Sequence, residues 1–223
     1  RRGMSEAPRL PVVVLIYGGG TNLQALIDAA AAGQPFAIAG VVSNVADAFG
    51  LTRAARAGIP TAVVDHKAYP DREAFEAALA DCVDGFAPAL VCLAGFMRIL
   101  TPGFVGRYHG RMLNIHPSLL PRYRGLHTHQ RAIDAGDAEH GATVHFVTEE
   151  LDGGPRILRA RVPVRPDDTA EVLAARVLEQ EHRIYPLAVH WFAEGRLRLA
   201  AAGAELDGRV LAEPVPLEAI EPA

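Results

Sequence analysis

The stretch Val12-Val13-Val14-Leu15-Ile16-Tyr17-Gly18-Gly19-Gly20-Thr21-Asn22 decides the fold class. Its first five residues are an unbroken aliphatic run, mostly β-branched, the pattern of a strand buried on both faces. Three glycines follow, then a polar pair opening a helical pattern from Asn22 to Ala32 that ends near Gly33. Strand, glycine turn and helix make one βα unit of a parallel sheet.

The alternation continues outward from that unit. Ala37 to Val42 reads as a strand, Phe49 to Ala57 as a helix stopped by Gly58, and Thr61 to Val64 as a short strand. A helix from Arg72 to Val83, a buried strand from Ala89 to Ala94, a helical segment after Pro102 and a strand from Met112 to Ile115 complete the series. This order predicts an α/β, Rossmann-like, mostly parallel sheet with right-handed crossovers and helices on both faces. Beyond it the pattern changes. Gly141 to Val147 and Ile157 to Val164 are strand-like with no convincing helix between them, so the C-terminal part of the sheet is expected to be partly antiparallel. A long helix follows from about Thr169 to Phe192, where Pro186 is expected to kink or break it near Tyr185. Leu197 to Leu199 adds an edge strand, and the proline-rich end from Glu213 is expected to fray. The organisation is then a disordered or expression-derived lead-in over 1–9, one domain over 10–211 and a flexible tail over 212–223.

Composition limits the function classes. The chain has 223 residues, half of them hydrophobic and 22% charged, with a net charge of −4. That suits one globular α/β core and argues against general nucleic-acid binding. No apolar run approaches a membrane span and no secretory pattern opens the chain, so a cytoplasmic protein is expected. Cys82 and Cys92 lack metal-ligand spacing and are expected to stay reduced.

Two segments carry chemistry. Gly18-Gly19-Gly20-Thr21-Asn22 lets backbone amides approach an anion at a helix N-terminus. Leu23 stands where a dinucleotide fingerprint needs its third glycine, and Ser43-Asn44 offers no acid for a ribose, so a monophosphate fits better than a dinucleotide. A plain tight turn is the alternative. In Leu113-Asn114-Ile115-His116-Pro117, an extended chain puts Asn114 and His116 on one face, and Pro117 holds His116 extended. An amide donor beside an imidazole is an acyl-transfer pair. The alternative is two polar residues ending a strand, with His116 bonded to a backbone carbonyl. His127, His129, His140 and His145 fit no familiar zinc spacing, and general-base or anion contacts suit them better than a metal. Arg122, Arg124 and Arg131 read as solvated or substrate-facing.

Taken in order, several segments carry a family resemblance. They are Gly18 to Gln24, Ser43-Asn44 with Ala46 to Leu51, Leu93 to Leu100, Leu113 to Pro121, Gly125 to His129, His140-Gly141 and Leu151 to Pro155. Together they resemble the glycinamide ribonucleotide formyltransferases, folate-dependent enzymes of purine synthesis, over roughly Val12 to Leu211. The resemblance implies formyl transfer from 10-formyltetrahydrofolate to the amine of glycinamide ribonucleotide, giving formylglycinamide ribonucleotide and tetrahydrofolate. It implies Asn114, His116 and Asp152 as the catalytic trio. Gly20, Thr21 and Asn22 would hold the nucleotide phosphate and Glu181 its ribose. Arg72, Met97, Arg98, Ile99, Leu100, Asn114 and Leu151 would contact the folate. No metal, nucleic acid or membrane is implied, and the protein would be a monomer or homodimer.

The chain departs from its relatives on the nucleotide side. Tyr17 stands where Ser is usual, Gly19 where a polar or small residue is common, Thr21 in place of Ser, and Leu178 where some bacterial relatives carry Gln. Methionyl-tRNA formyltransferase and formyltetrahydrofolate hydrolase resemble the chain too. The first normally adds a C-terminal tRNA-binding domain and the second an N-terminal regulatory domain, neither expected in 223 residues. A silent nucleotide-binding module is the non-enzymatic alternative, and the intact trio argues against it.

Overall fold

Alternate residues of the first strand pack into two different cores. In the computed structural model, which describes residues 8–96, 98 and 100–221, β1 (Leu10–Ile16) sends Val12, Val14 and Ile16 to one face and Val13 and Leu15 to the other. All five are fully buried, and each contributes about 1.5–3 kcal/mol by leaving water. The first face meets α1 (Thr21–Ala31) and α6 (Ala170–Ala193), and the second meets α3 (Arg72–Gly85) and α4 (Pro102–Arg107). Helices therefore cover both faces, as the unbroken aliphatic run requires.

The remaining strands are β2 (Phe36–Ser43), β3 (Thr61–Val63), β4 (Leu90–Ala94), β5 (Met112–His116), β6 (Glu139–Phe146), β7 (Arg156–Pro163) and β11 (Val215–Pro216), and the sheet order is β11-β7-β6-β5-β4-β1-β2-β3. From β3 to β5 every pairing is parallel, while β5–β6 and β6–β7 are antiparallel. α2 (Phe49–Arg56) links β2 to β3. The chain runs outward from β1 to β3 and then returns to β4 on the other side of β1. Such a reversal opens a crevice at the carboxyl ends of β1 and β4, where α/β proteins bind ligands.

Several expectations are corrected. α6 runs unbroken through Pro186, although a proline deprives one carbonyl of its partner. Tyr185, Pro186, Ala188 and Val189 are buried, and the Tyr185 hydroxyl donates to Leu93 O at 2.7 Å and Leu113 O at 3.1 Å. Those contacts hold the helix across the proline and tie it to β4 and β5. The chain end does not fray from Glu213. Val215 and Pro216 pair in parallel with Leu158 and Arg159 of β7, and Leu217 is buried. The edge strand expected near Leu197 is one of three in a separate antiparallel sheet, β8 (Leu197–Ala200), β9 (Gly203–Leu206) and β10 (Arg209–Val210). A short helix absent from the sequence reading, α5 (Thr128–Asp134), lies between β5 and β6. Among the described residues no helix is long and apolar enough to cross a membrane.

Candidate active site

β5 carries Asn114 and His116 on one face, as its alternation requires. Leu113 and Ile115 join the core beneath α6, and Met112 packs into the opposite core. Asn114 and His116 therefore share the Met112 face. Asn114 pairs across the strands with His145 of β6, which puts His145 on that face as well.

Asp152 arrives from the turn between β6 and β7, in a left-handed conformation with φ 50°. Its Oδ1 lies 3.5 Å from His116 Nδ1 and 3.9 Å from His145 Nε2, and its Oδ2 accepts the Gly125 N–H at 2.8 Å. The His116 and Asp152 side chains are each only 7% exposed. His116 Nε2 stands 2.7 Å from the Tyr123 carbonyl, and since a carbonyl only accepts, Nε2 carries a hydrogen. By the same logic His145 Nδ1 donates to Phe146 O at 2.9 Å. That leaves His145 Nε2 buried, without a hydrogen-bond partner among the described residues and facing Asp152. Burial is the main reason His145 is pushed down, so its neutral form is favoured.

The turn that presents Asp152 depends on Gly154. A Cβ there would sit 1.8 Å from Phe146 O, a backbone atom that cannot yield. Gly154→Ala should therefore destabilise the protein by more than about 2 kcal/mol, the range of severe steric changes. Thermal melts check this, and a variant melting with the wild type would show that the turn tolerates a side chain.

A second group of candidate residues lies at the end of β1. Gly20 adopts φ 74°, and a Cβ on it would meet Gly50 Cα at 2.7 Å. Gly20 is thus required by packing as well as by conformation. Thr21 opens α1, and Asn22 Nδ2 donates to Glu181 Oε1 of α6 at 3.1 Å. Glu181 is buried; burial pushes its carboxyl up, and the Asn22 bond opposes the shift. Asn22 Oδ1 is buried and has no hydrogen-bond partner among the described residues.

The matches to known proteins fit this arrangement. The family profile described as "Formyl transferase" matches residues 10–189. The chain is 55% identical over 201 residues to the phosphoribosylglycinamide formyltransferase of Escherichia coli K12, covering 90% of this chain and 95% of that protein. It is 54% identical to the enzyme of the same name from Haemophilus influenzae, again over 90% of this chain and 95% of that one. The solved phosphoribosylglycinamide formyltransferase of Coxiella burnetii superposes with a TM-score of 0.90 at 51% identity, covering 93% of this chain and 99% of that one.

The chain belongs to the formyl transferase family.

In this formyl transferase, the residues expected to contact folate are placed less completely than the trio. Arg98 and Leu100 follow β4, with Leu100 packed against the core on the Asn114 face. Met97 and Ile99 lie outside the described residues. Leu151, 54% exposed, adjoins Asp152, whereas Arg72 is exposed at the start of α3. Among the described residues, no group of three or more His, Cys, Asp or Glu is placed to hold a metal ion.

The backbone carbonyl that the alternative reading gave His116 is that of Tyr123, while sequence reading missed the Gly125 amide that Asp152 holds. It also missed Thr143, whose hydroxyl accepts from Leu120 N at 3.1 Å and donates to Ser118 O at 2.8 Å, anchoring the loop that follows His116. Further along, His129 Nδ1 and His140 Nε2 share a hydrogen bond of 3.1 Å. Burial first, then the neighbouring His129, push His140 from 6.5 to about 4; His116 adds to this and Asp137 opposes it. The unfolded chain therefore takes up the proton first. The stability tied to a neutral His140 is whole above about 6.5 and is lost as the pH falls through about 4. His140→Gln should flatten the stability–pH curve in that window, as read by urea denaturation. A variant curve as steep as the wild type would locate the acid sensitivity elsewhere.

Proposed function

We propose that this chain transfers the formyl group of 10-formyltetrahydrofolate to the amine of glycinamide ribonucleotide, with Asn114, His116 and Asp152 as the catalytic trio. The observation that carries the trio is the convergence of His116 and Asp152, with a 3.5 Å approach between side chains almost closed to solvent, on the face that also bears Asn114.

The amine nitrogen attacks the formyl carbon and a tetrahedral oxyanion forms. The Asn114 amide and the His116 imidazolium donate to it, a preorganised stabilisation that needs no rearrangement of solvent. Both ring nitrogens of His116 meet an acceptor, the Tyr123 carbonyl at Nε2 and the Asp152 carboxylate opposite Nδ1. The Tyr123 carbonyl already accepts the Nε2–H, so the oxyanion shares that hydrogen with it. Collapse of the intermediate breaks the bond from carbon to the folate nitrogen. The proton lost by the amine ends on that nitrogen, relayed by a water held between Asp152 and the substrates. His145 Nε2 supports that water as an acceptor.

Gly20, Thr21 and Asn22 hold the nucleotide phosphate and Glu181 its ribose. Arg72, Arg98, Leu100, Asn114 and Leu151 contact the folate. The free thiols Cys82 and Cys92 suit a reducing, cytoplasmic compartment, with the protein acting as a monomer or homodimer without nucleic acid, membrane or metal. A formyl-transfer assay with three acceptors tests the reading. Transfer to glycinamide ribonucleotide is expected, and transfer only to charged tRNA or to water would overturn it.

A further inference from the structure

The glycine loop has its carbonyls tied away from one side. Gly18 O accepts from Gly50 N at 3.1 Å, Gly19 O from Arg53 Nε at 2.7 Å, and Gly20 O from Gln24 N at 2.8 Å. Two of the three tethers come from α2. With the carbonyls engaged, the loop amides and the first amides of α1 are left to face an anion. Residues 17 to 24 contain no Lys or Arg, so the loop supplies dipoles and no formal charge.

Arg53 is the cation that touches this loop. Its guanidinium stacks 4.9 Å from the centre of the Phe49 ring, which restricts the side chain before any ligand arrives. Only Nε is engaged by Gly19, and that bond does not involve the terminal nitrogens. Among the described residues no carboxylate stands within 4.0 Å to neutralise it. Its charge also reaches α6, where, after burial, it is a cause of the lowering of His182, the neighbour of Glu181.

We propose that Arg53 is the positioning residue of the glycine loop, holding the Gly19 carbonyl out of the anion's path and adding the positive charge that the loop lacks. This rests on the reading of residues 20–22 as the phosphate site. It gives α2, which touches none of the reacting atoms, a share in nucleotide recognition. It also supplies an electrostatic partner for a phosphate dianion in a chain that carries Leu178 on the nucleotide side of α6.

Steady-state kinetics on Arg53→Ala, Arg53→Lys and Gly19→Asp test the idea. Gly19 is the control position because it is exposed and an added Cβ there meets nothing within 4 Å. Arg53→Ala should raise the nucleotide KM about 10- to 100-fold, the size of a lost charge-assisted contact, while kcat and the folate KM hold. Arg53→Lys should restore part of that loss. The ribonucleoside acceptor, which lacks the phosphate, should bind wild type and Arg53→Ala alike. An unchanged nucleotide KM in Arg53→Ala while Gly19→Asp raises it would overturn the role of Arg53 and keep the phosphate site. An unchanged KM in both would overturn the phosphate site itself. An equal loss with the ribonucleoside would show that Arg53 merely supports the fold, and would also overturn the proposal. Should Arg53→Ala not fold, Arg53→Gln, which keeps a donor without the charge, is read against Arg53→Lys in its place.

Discussion

Asn114→Ala or His116→Ala should reduce kcat by about 10²–10⁴-fold, the range for a lost oxyanion donor or proton-handling group. Both side chains sit on the same face of β5, and Leu113 and Ile115 on the other face keep the strand in place. Asn114→Ala removes polar atoms without touching either core, so its thermal midpoint should change little, whereas His116→Ala leaves the buried Asp152 carboxylate without the ring that faces it and should lower the midpoint. His116→Ala also frees the Tyr123 carbonyl, which can then turn to solvent. Folate affinity should change far less than turnover, because the donors meet a charge that exists only on the reaction path. Near-full turnover in either variant would refute the oxyanion account.

Asp152→Asn should give the second largest effect, a fall in kcat of about 10²-fold or more, because the carboxylate organises a general acid–base group. The substitution keeps size and removes charge. An amide oxygen can still accept the Gly125 N–H that Asp152 Oδ2 takes at 2.8 Å, so the turn should persist. What is lost is the anion facing His116 Nδ1 and the hold on the relay water. The pH–rate profile should therefore change shape as well as height. Stopped-assay rates from acid to alkaline pH check this. A profile that is merely scaled down, with the wild-type shape, would mean that Asp152 acts without His116.

Much of the fold was legible because side-chain period reports burial. Val12 to Ile16 has no polar residue, and the structure buries it on both faces. The antiparallel pairing of β6 with β7 was legible because no crossover helix lies between them. Pro186 misled, since a local rule about prolines says nothing of Tyr185 reaching the carbonyls of β4 and β5. The tail misled for the same reason, its pairing with β7 being a tertiary event. α5 escaped because its seven residues carry less than two full helical periods, and His127 enters it in a left-handed conformation.

The site was legible where chemistry sits in side chains at short spacing. Asn114 and His116 are two residues apart on a strand, and alternation alone places them together. Asp152 lies outside any such pattern, and only the resemblance among whole segments singled it out. The Tyr123 carbonyl and Gly125 amide are backbone groups, and a one-letter code is silent about them. Arg53 stands 34 residues from Gly19, so nothing in the local sequence links the two.

The central claim is that Asn114 and His116 recognise the tetrahedral oxyanion. It is tested most directly with a folate analogue that carries a tetrahedral gem-diol in place of the formyl group. Its dissociation constant would be measured for wild type, Asn114→Ala and His116→Ala beside the kcat/KM of each. The account predicts that affinity for the analogue falls in step with kcat/KM, about 10²–10⁴-fold, while affinity for tetrahydrofolate holds. Analogue affinity that stays at the wild-type value while kcat/KM collapses would contradict it.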